Sequence, residues 1–80
     1  MQFYFYSTAA WHLCDQALVL IERLIAQGEL VKSQVEYIDI SEDENLVDLY
    51  GVRIPVLKNK QNAEELGWPF DLDTLRLFIS

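Results

Sequence analysis

The chain has one cysteine, Cys14, and one histidine, His12, among its 80 residues. A lone cysteine forms no intramolecular disulfide, which excludes the stapled scaffold of small secreted domains. One cysteine and one histidine fall short of a zinc site's four ligands, so no metal centre is expected. Only six residues are Lys or Arg, scattered along the chain, against thirteen Asp or Glu. A formal charge of −7 repels phosphate backbones and anionic lipid, so neither nucleic acid nor a membrane is an expected partner. No stretch approaches the ~18 consecutive apolar residues of a membrane span. No basic region precedes an apolar run at the N-terminus, so no signal peptide is expected and the expected location is cytoplasmic. Three glycines and two prolines are too few for a fibrous or disordered chain.

What is present is apolar. Hydrophobic residues make up 51% of the chain, with two Trp, four Phe and four Tyr. That supports one domain over residues 1–80, although a chain this short buries only roughly 60–65% of its unfolded surface. The aromatic run from Gln2 to Tyr6 reads as a strand covered on both faces, hence central in a sheet. Ser7 or Thr8 begins the turn that follows and is expected to supply its caps. Leu13, Ala17, Leu20, Ile21, Leu24 and Ile25 then recur at helical spacing, and Gly28 is a natural stop.

Gln34 to Ile40 alternates as a strand nearer an edge, parallel to the first across the helical crossover. Ser41 and Glu44 have the spacing of a capping box for a short helix ending at Gly51. The acids Glu42, Asp43, Glu44 and Asp48 lack the glycine and ligand spacing of a calcium loop and read as a helix start. Arg53-Ile54-Pro55-Val56 opens a third strand, and Ala63 to Leu66 returns as its hairpin partner. Asp71 caps a last helix whose stripe is Leu72, Leu75, Phe78 and Ile79. The order β-α-β-α-β-β-α predicts an α/β fold, a four-stranded mixed sheet with flanking helices.

Cys14 carries the chemistry of this chain. It lies in the first turn of the first helix, where amide N–H groups and the dipole favour a thiolate. The opposite reading is a half-buried apolar residue packing under Trp11, with burial holding the proton on. His12 is two residues from Cys14 and diverges from it on a helix, so it is expected to face solvent. Arg53 is expected in a surface ion pair. Trp11 reads as a plug over Cys14 or as an aromatic platform. Trp68 and Phe70 either pack on the core or frame a groove. If Trp11, Trp68 and the Pro55 loop converge, they make an apolar patch suited to a partner.

Three segments carry a family resemblance: His12-Leu13-Cys14-Asp15-Gln16-Ala17, Gly51-Val52-Arg53-Ile54-Pro55-Val56-Leu57 and Trp68-Pro69-Phe70-Asp71. In this order, nearly end to end, the chain resembles small bacterial glutaredoxin-like proteins of the thioredoxin fold. The resemblance implies a Cys-x-x-Cys motif whose first cysteine attacks disulfides and whose second resolves the mixed disulfide. Cys14 falls on the second position and Trp11 on the first. The implied function is that of a relative of the thiol–disulfide oxidoreductases in cell redox homeostasis, with dithiol activity impaired or absent. The alternative is a non-catalytic module binding a peptide or protein. Iron–sulfur carriage does not transfer, because those relatives keep the first cysteine and one thiol cannot hold a cluster.

Pro55 matches the family's cis-proline, beside which the backbone at Ile54 would bind an extended peptide or glutathione by strand addition. The implied site is therefore Cys14 as the chemical group, with Trp11, Ile54, Pro55 and Trp68 as the binding rim. The implied partner is a protein or peptide thiol or disulfide. No cofactor is expected beyond glutathione, from whose binding pattern Trp68-Pro69-Phe70 departs while Gly67 and Asp71 echo it.

Overall fold

The computed structural model describes residues 1–9 and 11–80. The strands are β1 (Phe3–Ser7), β2 (Val35–Asp39), β3 (Val56–Asn59) and β4 (Glu65–Gly67). The helices are α1 (His12–Ala26), α2 (Glu44–Tyr50) and α3 (Leu72–Ile79), with 3₁₀ turns over Lys32–Gln34 and Ile40–Glu42. The sheet order is β2-β1-β3-β4. β1 and β2 run parallel, while β3 is antiparallel to both β1 and β4. This is the mixed sheet expected from the element order, with β1 central and β2 at an edge.

Alternation along β1 divides the interior in two. Phe3 and Phe5 face one side, with Val35 and Leu57 beside them. α1 and α3 cover that side with Ala17, Ile21, Leu24 and Leu75. Phe3, Ile21, Leu24, Leu57 and Leu75 are fully buried, each contributing about 1.5–3 kcal/mol of transfer free energy. Tyr4 and Tyr6 face the other side, where the seven-residue α2 packs. Its smaller cluster joins Tyr6, Cys14, Ile40, Tyr50, Ile54 and Val56. Tyr4 lies toward the less covered part of this face, with the Lys60 ammonium 4.4 Å from its ring centroid.

Local physics moves several boundaries. Ser7 closes β1 opposite Asp39, too far upstream to cap a helix starting at His12. The N-cap is instead Trp11, with no side-chain cap bond. Part of that turn, Ala10, falls outside the described residues. The capping box at Ser41 is not formed. Ser41 sits inside a 3₁₀ turn, donating from its N and Oγ to Asp39 Oδ1 at 3.0 and 2.7 Å. Asp43 caps α2, accepting from Asn45 N at 2.9 Å. Two aspartates thus do what one serine was expected to do, because the 3₁₀ turn shifts the helix start.

The hairpin also moves. Tyr50 O accepts from both Arg53 N and Ile54 N, which keeps residues 51–54 in a turn until β3 begins at Val56. Ala63 has φ +61° and belongs to the Asn59-centred turn. β4 therefore starts at Glu65 rather than Ala63. Helix ends follow expectation more closely. Gly28 takes φ +78° after α1, a conformation costly to any residue with a Cβ. Asp71 accepts from Thr74 N at 2.8 Å to open α3.

Candidate functional site

α1 begins one residue after Trp11, whose carbonyl accepts from Cys14 N at 2.9 Å. Cys14 is therefore the third helical residue. It lies in phase with Ala17, Ile21 and Leu24, the inward line of α1. The consequence is burial: Cys14 is 4% exposed, in the apolar cluster with Tyr6, Ile40, Tyr50, Ile54 and Val56.

Two influences compete at the thiol. The helix N-terminus favours the thiolate, and burial disfavours it. Burial prevails and pushes the Cys14 thiol up. The Thr8 backbone amide offsets this in part, while the Asp15 and Asp39 carboxylates add to it. Asp39 is itself held below the ordinary carboxylate range by the Ser41 hydroxyl and amide. The thiol is thus protonated at neutral pH, with carboxylates rather than a cation beside it.

The rim residues do not meet as one patch. Trp11 is 43% exposed, and its ring centroid lies 5.6 Å from that of His12. Trp11 is the N-cap of α1, ahead of its buried stripe, and its side chain reaches the surface. His12 is exposed, as its position relative to Cys14 implied. Ile54 is buried in the Cys14 cluster. Pro55 is fully buried; the Ile54–Pro55 bond is cis, as is Trp68–Pro69.

Trp68 N donates to Pro55 O at 3.1 Å. The Trp68 ring, however, packs on the α1–α3 side of the sheet, edge-on to Phe70 at 5.0 Å. Ile54 N already donates to Tyr50 O at 3.0 Å. The amide that strand addition would use at this position is therefore committed within the chain.

Sequence reasoning missed a polar brace. Tyr50 stacks on Tyr6, with centroids 4.3 Å apart and planes 14° from parallel. Its hydroxyl donates to Glu65 Oε2 at 2.5 Å, and Arg53 reaches Glu65 Oε1 at 2.5 Å. The Arg53 guanidinium also lies 5.1 Å from the Tyr50 ring centroid. Burial and the Glu65 hydrogen bond push the Tyr50 hydroxyl well up. The Tyr50 hydrogen bond and then Arg53 hold Glu65 below its ordinary range. The brace ties the end of α2 and the turn before Pro55 to β4. A tyrosine in an apolar stripe signals a need for a hydroxyl partner, but only the hairpin register identifies Glu65.

Among the described residues, no group of three or more His, Cys, Asp or Glu is arranged to hold a metal ion. No helix among them is long and apolar enough to cross a membrane.

Comparison with known proteins gives a consistent outcome. The family model for the glutaredoxin-like domain (DUF836) matches residues 2–80. The crystal structure of structural-genomics target protein XcR50 from X. campestris is 34% identical, with a TM-score of 0.79. That likeness covers 96% of this chain and 93% of the other. The solution structure of protein Ne2328 from Nitrosomonas europaea is 26% identical at a TM-score of 0.74, covering 99% of this chain and 91% of that one. No curated protein matches.

Proposed function

Since the chain belongs to the glutaredoxin-like domain family (DUF836), we propose that it is a relative of the thiol–disulfide oxidoreductases in which dithiol exchange is impaired or absent. Dithiol exchange needs an exposed thiolate to attack a disulfide and a second thiolate to displace the mixed disulfide. This chain has one thiol. The observation that carries the reading is its burial, with the proton held on by desolvation and by two carboxylates. Trp11 occupies the exposed position one turn earlier, and indole neither ionises usefully nor attacks sulfur.

The test compares iodoacetamide alkylation of Cys14 in the native and urea-unfolded chain at neutral pH, alongside a glutathione-coupled disulfide assay. The native rate is expected to fall clearly below the unfolded one, because burial both raises the thiol and covers the sulfur. No turnover is expected. Alkylation as fast in the native chain, with turnover, overturns the proposal.

A second reading is a non-catalytic module that binds a protein or peptide at this end of the sheet. Exposed Trp11 and fully exposed Val52 favour it. With the Ile54 amide bonded to Tyr50, recognition here would rest on side chains rather than on strand addition through that amide. Glutathione, as a small extended peptide, meets the same restriction.

A further inference from the structure

We infer that the end of the sheet around Cys14 and Ile54 docks a cationic protein segment that also presents an apolar side chain. The inference rests on the binding reading above and names the partner's chemistry.

Position comes first. The N-terminus of α1, the β2–α2 connection, α2 and the turn before Pro55 meet through one cluster, which includes Cys14, Ile40, Tyr50 and Ile54. Around it, large apolar side chains reach solvent. Trp11 caps α1, Leu49 is 61% exposed, and Val52 is completely exposed. Leu49 lies in the last turn of α2, and Val52 in the turn that follows it. Val52 lies two residues from Ile54, and Trp11 three from Cys14, so the exposed side chains flank the buried ones.

Charge comes second. The segments forming this end carry Asp15, Asp39, Glu42, Asp43, Glu44 and Asp48. None of these is in an ion pair among the described residues. Three ion pairs lie elsewhere, Lys60–Glu36, Arg76–Glu29 and Arg76–Asp73, and the fourth, Arg53–Glu65, joins this end to β4. Arg53, the one cation within residues 39–53, is thus already bound to an acid outside them. Asp39 and Asp43 also use carboxylate oxygens as caps. The result is an apolar rim within an uncompensated negative field.

Such a field steers and selects a positive partner but supplies little affinity by itself. Covering Trp11, Leu49 and Val52 supplies the rest. A polyamine has the charge and no side chain for the apolar rim. A neutral apolar peptide gains nothing from the acids. A lysine- or arginine-bearing segment with one aliphatic side chain satisfies both.

The test is an NMR titration of the full, ¹⁵N-labelled chain with three probes. These are a lysine-rich nonapeptide carrying one central leucine, its glutamate counterpart with the same leucine, and spermine. The lysine peptide is expected to move amide signals of residues 11–15 and 39–53 saturably, with affinity falling as salt rises. Glu42→Lys combined with Asp48→Lys, and separately Val52→Ser, should each weaken it at least fivefold with the urea midpoint essentially unchanged. Spermine binding equally well, no effect of Val52→Ser, or shifts spread evenly over Glu22, Glu64 and Asp73 overturns the inference. Binding of the glutamate peptide at these residues overturns the charge assignment and leaves the binding reading standing. No binding by either peptide overturns both. The alkylation rate of Cys14 bears on neither result.

Discussion

Restoring a thiol at position 11 tests the geometry of the first turn. Trp11 O accepts from Cys14 N at 2.9 Å, so the two residues span a single turn and their Cα atoms are about 5 Å apart. Disulfides need roughly 4.4–6.8 Å. Trp11→Cys should therefore form an intramolecular disulfide with Cys14. Closing a loop of about four residues removes roughly 6 cal/mol/K of unfolded-state entropy, or about 2 kcal/mol at 25 °C. For a domain of this size, that raises Tm by about 8–15 °C between the reduced and oxidised forms. The exposed indole contributes little to the core, so the reduced variant should fold as the parent does.

The assay equilibrates the variant with oxidised glutathione. Two protein thiols are oxidised to one disulfide as each glutathione disulfide is reduced to two glutathiones. Free-thiol titration should fall from two per chain to none, with no mass added. The oxidised form should melt higher, and the variant should turn over in a glutathione-coupled assay. Retention of a single bound glutathione and one free thiol per chain refutes the reasoning, because Cys14 would then be out of reach of the turn's exposed position.

Three other outcomes are expected. Burial raises the Cys14 thiol in the folded chain, so the unfolded chain ionises first as pH rises above about 8.5. The parent should lose more stability than Cys14→Ala in urea melts between about pH 8 and 10, and parallel losses contradict this. Glu65→Ala leaves the buried Tyr50 hydroxyl without its acceptor and should cost about 1–3 kcal/mol. Because folding lowers the Glu65 pKa, its contribution is present above the unfolded value and fades as pH falls below about 4.3. Glu65→Ala should accordingly flatten the acid limb of a stability–pH curve. Asp43→Ala should cost about 1 kcal/mol as the α2 cap, whereas Ser41→Ala should stay within about 0.5 kcal/mol; the reverse order in chemical denaturation would restore the capping box at Ser41.

The elements that rest on periodicity were legible in the sequence. The stripe of α1, the parallel pairing across it and the terminal helix capped by Asp71 all follow from spacing and one polar residue. Boundaries set by competing local hydrogen bonds were not legible. Asp39 and Asp43 each offer a cap near Ser41, and composition alone does not rank three adjacent candidates. The site was legible in part for the same reason. Cys14 and Ile54 meet because both lie on buried stripes. Trp68 is four residues or fewer from buried Phe70 and from β4, yet its ring follows the α1–α3 side. Tyr50, Arg53 and Glu65 converge only once the β3–β4 register is fixed.

Helical phase, more than the identity of any neighbour, decides what this turn can do. A dipole at a helix N-terminus contributes about 0.3–1 kcal/mol to an anion, and removing a charged group from water costs considerably more. Which influence prevails depends on whether the side chain points out or in. Cys14 starts the line continued by Ala17, Ile21 and Leu24, so the periodicity that anchors α1 to the sheet also withdraws the thiol from solvent. Position 11, one turn earlier and ahead of that line, keeps the exposed end of the dipole. With tryptophan there, the exposed position offers surface instead of a nucleophile, and among the described residues Asp15 and Asp39 are in no ion pair. The turn that would present a reactive thiol thus presents an exposed indole in its place.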